Sequence, residues 1–361
     1  MAINKGIVGI GDAGGFVPSD NFNTVLYTGN GGTQSVTGVG FKPDLVWVKA
    51  RQASVSNILI DSVRGVSRQL ASNSNEQEYF NSGKQTTAFN SDGFTVVDQT
   101  NGGFGVNGAP GQTFSGTNAY YVSWNWKAGG AAVSNTDGTI ASEVSVNTEA
   151  GFSIVSFTSN GAGSPVSTGH GLSSVPELVI FKNRDDTSQW PVFHKDIGFN
   201  GRLQLEDSAS VSTFTPFFDI TTTTIAIRQS SLAINGNKCI AYCFHSVDGY
   251  SKIGSYTASG TSDFDINVGF RPRFLLIKST TSSQPWAMSD SIRNPGTPPY
   301  AAYRNLYANL NNSEGVASPP ATNSYVEYRA TGFGFTAAMI SAGTNPAYWS
   351  NGNTYMYLAI A

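Results

Sequence analysis

Val39-Gly40-Phe41-Lys42-Pro43-Asp44-Leu45-Val46-Trp47-Val48-Lys49 sets a Gly/Pro turn directly against a solid apolar run. Gly and Pro punctuate the chain, and four large apolar residues in a row mark a strand covered on both faces. The pattern returns twice. Gly169-His170-Gly171-Leu172 and Pro176 lead into Leu178-Val179-Ile180-Phe181-Lys182, and Val268-Gly269-Phe270-Arg271-Pro272 lead into Phe274-Leu275-Leu276-Ile277-Lys278. A shared opening precedes each copy: Tyr27-Thr28-Gly29-Asn30-Gly31, Phe157-Thr158-Ser159-Asn160-Gly161 and Tyr256-Thr257-Ala258-Ser259-Gly260. A shared closing run follows each, at Asn118–Trp124, Asn237–Cys243 and Asn353–Ala359. A unit of about a hundred residues is a domain rather than a solenoid coil, so the sequence predicts three related domains in series.

Working outward, helix signals are sparse. Ser62 to Ser72 is the best stretch, with Val63, Val66 and Leu70 on one face, and Gly65 interrupts it. Tyr120–Trp126 alternates, which predicts a strand with one exposed face carrying Tyr121, Ser123 and Asn125. Turn signals such as Asp92-Gly93, Asn235-Gly236, Asp248-Gly249 and Asn351-Gly352 fill the gaps. The expected fold is therefore all-β: three tandem related β-sandwich domains of jelly-roll or lectin-like kind. The expected bounds are 1–20 for an N-terminal docking segment, 21–128 for the first sandwich, 148–247 for the second and 248–361 for the third. Residues 129–147 read as a linker or a pair of extra edge strands. A string of beads is expected, with a pseudo-threefold cluster as the competing arrangement.

Composition narrows function. Charged residues make up 12% of the 361, about half the usual share, and the net charge is −3. No basic field exists to hold nucleic acid, and no run approaches the ~20 apolar residues of a membrane helix. Forty Gly and 12% aromatics suit a surface-type β-protein. No export signal is read in Met1 to Gly15. Cys239 and Cys243 lie four apart in one strand, roughly 13 Å, too far to bridge.

The chemical signals are few. Gly9-Ile10-Gly11-Asp12-Ala13-Gly14 fits a dinucleotide fingerprint, but no periodic helix follows and no acid stands about twenty residues on. Cys239, Cys243 and His245 share a strand face, as zinc ligands could. Tyr120, Trp124 and Trp126, or Tyr355, Ala359 and Ala361, are placed at the corresponding points of the sister copies, which favours packing. Asp61, His194 and Asp290 each end a strand before a turn closing at Gly65, Gly198 or Asn294, and read as hairpin corners. Asp185, Asp186, Asp196, Glu206 and Asp207 are the acids to test for polysaccharide cleavage; none has counterparts in both sisters, and they read as solvated. The six Trp read as core anchors rather than sugar platforms. No catalytic, cofactor or metal site is expected. Ile3, Ile7, Val8 and Ile10 are the candidates for docking onto another subunit.

The motifs Tyr27–Gly31 and Val39–Lys49, with Ser91-Asp92-Gly93-Phe94 and Trp124-Asn125-Trp126-Lys127-Ala128-Gly129-Gly130, resemble a repeated domain family of tailed-bacteriophage virion proteins, especially marine ones. Trp190-Pro191-Val192-Phe193-His194-Lys195 places the second copy in the same resemblance; the third keeps Gly-Phe-x-Pro but lacks Trp-x-Trp-Lys. The resemblance implies a structural particle component, assembled in the host cytoplasm and located in the virion. A tail-fibre or spike subunit with host-surface binding is the leading expectation. A capsid-decorating or vertex protein is the alternative, and a polysaccharide-cleaving tailspike the second. The implied partners are other virion proteins, further copies of the chain as in a trimer, and a host glycan or protein.

Overall fold

The computed structural model describes residues 15–98, 105–108, 119–161, 166–213, 216–229, 234–293, 304–314, 326–337, 340 and 346–361. The chain is all-β, and its described strands fall into three pairs of sheets. The larger sheet of the first pair runs Phe22–Thr28, Tyr120–Trp126, Leu45–Ala50, Ile58–Asp61, Arg68–Ala71, Tyr79–Phe80. The second runs Phe152–Thr158, Lys238–Phe244, Leu178–Asn183, Pro191–His194, Gly201–Gln204, Ser212–Thr213, and the third Ser251–Thr257, Thr354–Ile360, Phe274–Ser279, Ala287–Asp290, Leu306–Tyr307. In each, the opening strand pairs antiparallel with the closing strand, and the apolar inner strand lies on that closing strand's other side. A three-stranded sheet faces each larger one: Thr33–Thr37, Gly93–Val97, Gln85–Asn90 in the first; Val166–Gly169, Thr224–Ile227, Phe218–Ile220 in the second; Phe264–Asn267, Gly332–Phe335, Glu327–Arg329 in the third.

The inner strands explain why both faces are apolar. Val46 and Val48 point into the first sandwich's own core, with Phe94, Val96 and Tyr121. Val179 and Phe181 do the same in the second, and Leu275 and Ile277 in the third. The alternate residues Leu45, Trp47, Leu178, Ile180, Phe274 and Leu276 all enter a fourth core, shared by the three large sheets. Period-two alternation thus sorts one apolar run into two cores. Because that shared core draws on all three sandwiches, the beads expectation is corrected: the units cluster around a common centre.

Other expectations change for the same reason. Tyr120–Trp126 is not half exposed. Tyr121, Ser123 and Asn125 are buried like Val122, Trp124 and Trp126, because one sheet covers one side and the shared core the other. Ser62 to Ser72 forms a turn and the strand Arg68–Ala71. Within residues 129–147, Val133–Asn135 and Ser142–Asn147 add to the free edge of Phe152–Thr158. Gly93 marks a close approach, with φ at +138° and a built Cβ only 2.0 Å from the Val36 carbonyl oxygen. Ile3, Ile7, Val8, Ile10 and Asn294 lie outside the described residues.

Candidate functional site

The three sandwiches meet at three seams built on one plan, and among the described residues the most buried ion pairs lie at two of them. In each seam a loop of one sandwich lies across the end of the next sandwich's inner strand. Glu78 N–H donates to the Arg184 carbonyl at 2.8 Å, Val211 N–H to Thr280 at 3.1 Å, and Glu314 N–H to Arg51 at 2.6 Å. The lysine closing each inner strand reaches the same incoming loop: Lys182 Nζ donates to the Asn75 carbonyl at 2.9 Å, Lys278 Nζ to Ser208 at 3.1 Å and Lys49 Nζ to Asn311 at 2.8 Å. First grips second, second grips third, and third grips first. Such head-to-tail contacts, closing after three steps, make a pseudo-threefold ring.

Burial shapes the electrostatics. Desolvation pushes the Lys49 amine down to about 7, and those of Lys182 and Lys278 to about 8. Two seams also carry a buried ion-pair network. At the first, Arg64 pairs with Asp61 at 2.5 Å and with Glu78 at 3.1 Å, and Glu78 takes both Nε and Nη2 of Arg184 at 2.9 Å. Tyr242 of the second sandwich donates to Asp61 at 2.8 Å. At the seam from third to first, Arg293 pairs with Asp290 at 2.6 Å and with Glu314 at 3.0 Å, Glu314 holds Arg51 at 2.8 Å, and Trp124 Nε1 donates to Asp290 at 3.1 Å. Burial alone would raise the Glu78 carboxyl; the Arg184 hydrogen bonds and the Arg64 charge win and hold it at about 2. Charges packed this way satisfy one another's desolvation and fix orientation, since removing one partner strands another in the interior.

Reading the sequence found the corner residues Asp61, His194 and Asp290 but missed Arg64, Arg293, Glu78, Glu314, Arg51 and Arg184. A signal was there: Asp-x-x-Arg occurs at both 61–64 and 290–293, and Lys-x-Arg closes two inner strands at 49–51 and 182–184.

The other singled-out residues are dispersed. Cys239 and Cys243 are buried in the second sandwich's own core, and burial pushes both thiols up to about 12. Their register needs correction. Phe22 pairs with Trp126 as Phe152 pairs with Phe244, so Tyr121 and Asn125, not Tyr120 and Trp124, correspond to the cysteines. A one-residue slip moves a strand side chain to the opposite face. His245 Nδ1 lies 2.9 Å from the Ser246 carbonyl, and among the described residues no three His, Cys, Asp or Glu side chains group as metal ligands. Asp185 is exposed and accepts from Lys238 N–H at 2.7 Å. Glu206 departs from the solvated reading: it is largely withdrawn from solvent, accepts from Trp190 N–H at 3.0 Å, and burial raises its carboxyl. All six Trp are buried, five in the shared core and Trp349 in the third sandwich.

No curated protein matches the chain. One family model, described as "Domain of unknown function (DUF7483)", matches residues 17–361, running through all three sandwiches as a single unit. A match of that extent agrees with a shared core that none of the three could complete alone, and the chain belongs to the DUF7483 family.

Proposed function

We propose that this protein is a structural component of a bacteriophage virion, a tail-fibre or spike subunit that touches the host surface. The observation that carries the reading is the closed ring: its buried ionic side chains and five of its Trp serve to lock three sandwiches together. Such a body is suited to bearing load and presenting turns. The resemblance of the Gly-Phe-x-Pro and Trp-x-Trp-Lys segments to tailed-phage virion domains gives the setting. Quantitative mass spectrometry of purified particles tests it. Presence at a small multiple per virion, with immunogold label at the tail, is the expected result; absence from particles overturns the proposal. The ring's threefold pattern also favours a second reading, a capsid-decorating or vertex protein at a symmetric position, for which copy number would rise to that of the shell. A polysaccharide-cleaving role has less support, because Asp185 and Glu206 each hold a backbone N–H rather than facing one another across a described cleft.

A further inference from the structure

The three seams share a backbone plan and differ in charge. Where two carry Asp61 with Arg64 and Asp290 with Arg293, the seam between second and third sandwiches carries His194 with Ile197. Where two carry Glu78 with Arg184 and Glu314 with Arg51, it carries Val211 with Thr280. His194 is 1% exposed. Its Nδ1 accepts the Asp196 N–H at 3.2 Å, capping the turn Lys195–Ile197 that packs against the third sandwich's strand Ser251–Thr257. A backbone N–H can only donate, so Nδ1 holds no proton and the neutral ring carries its proton on Nε2. That Nε2 is buried without a hydrogen-bond partner among the described residues, and the backbone of Tyr357 in the third sandwich lies beside the ring.

Burial opposes a second proton and outweighs the neighbours that favour one. On the same turn, Asp196 Oδ2 stands 3.9 Å away, well exposed to water, and Lys195 opposes a positive ring. Glu177, ahead of the adjacent inner strand, is occupied by Lys195 and by Ser246 N–H and Oγ. The third sandwich contributes the backbone of Tyr357 from its closing strand, which favours the protonated ring but carries no charge. Protonating Nδ1 would remove the acceptor that caps the turn and place a charge in a dry seam.

We propose that the seam between the second and third sandwiches is an acid-sensitive joint: protonation of His194 releases it while the two ionic seams stay closed. The ring then loosens at one place, with Val247–Tyr250 as the tether between the separating units. The seam between first and second sandwiches holds because the Glu78 carboxylate, kept at about 2 by the Arg184 hydrogen bonds and the Arg64 charge, stays charged at pH 5.0. In the seam from third to first, Glu314 is held between Arg293 and Arg51 in the same way.

Hydrogen exchange of the full-length protein, read by mass spectrometry at pH 7.5, 6.0 and 5.0 with intrinsic rates corrected, tests this. Peptides covering residues 194–213 and 274–280 should lose protection by roughly tenfold or more at pH 5.0. Peptides containing Glu78 and Arg184, or Arg51 and Glu314, should stay within about twofold. His194→Gln, neutral at every pH, should abolish the selective loss. Equal loss at all three seams, no loss at 194–213, or a loss that persists in His194→Gln would overturn the proposal. If that variant does not fold, the comparison of the three seams in the natural protein decides alone.

Discussion

Trp47 is an inner-strand side chain whose removal is felt by more than its own sandwich. It is edge-on to Trp124 at 6.4 Å and lines the apolar centre with Ile180, Tyr242 and Leu276 from the other two. Trp47→Ala should cost about 3–5 kcal/mol, measured by urea unfolding; a Trp used as a sugar platform would leave the midpoint unchanged. Glu78→Gln should cost on the order of 3–5 kcal/mol, because Arg64 is left buried with half its counter-charge. Acid should act in two windows. The His194 ring lies near 4 when folded against an ordinary 6.5, through burial. Between those values the unfolded chain binds the extra proton, so stability falls as pH drops, at up to about 1.4 kcal/mol per pH unit. Glu78, at about 2 against 4.5, contributes stability that is complete above 4.5 and lost as pH falls toward 2. Urea midpoints at pH 7, 5.5 and 4.5 check the first window, and His194→Gln should flatten it.

At the scale of strands, Gly93→Ala should weaken the first sandwich's small sheet by about 1–3 kcal/mol, since the new Cβ meets Val36 backbone at a φ that L-residues avoid. Loss of hydrogen-exchange protection confined first to Thr33–Thr37 and Gly93–Val97 would show it. Strands were the legible part of this sequence. Solid runs such as Leu178–Phe181 announced inner strands, and the shared closings gave their partners. What the letters could not convey was the second cover. An alternating segment like Tyr120–Trp126 reads as half exposed because small polar residues such as Ser123 and Asn125 look like a wet face. Here they are buried and bonded, with Asn125 Nδ2 donating to the Asn23 carbonyl at 3.0 Å. The ion networks were illegible for a related reason: Arg51 and Glu314 stand 263 positions apart, and no local pattern predicts such a partner.

At the scale of the molecule, one core held in common implies one transition. Calorimetry should give a single unfolding peak with calorimetric and van't Hoff enthalpies in agreement, and three separate peaks would contradict the ring. A fragment ending at residue 128 should not form a stable monomer, because Val122, Trp124 and Trp126 would face water. The seam that joins third sandwich to first also carries a consequence for synthesis. Arg51 leaves the ribosome long before Glu314, and Leu45 long before its core partners Met356, Leu358 and Ile360. At roughly 5–20 residues per second, the early sheets wait tens of seconds with their tryptophan faces uncovered. Nascent chains on one polysome therefore hold matching sticky surfaces at the same time, and a chain cut short at its end is a worse hazard than one trimmed at its start. Heavy ribosome traffic should yield insoluble protein, and slower initiation, at equal total synthesis, should recover it.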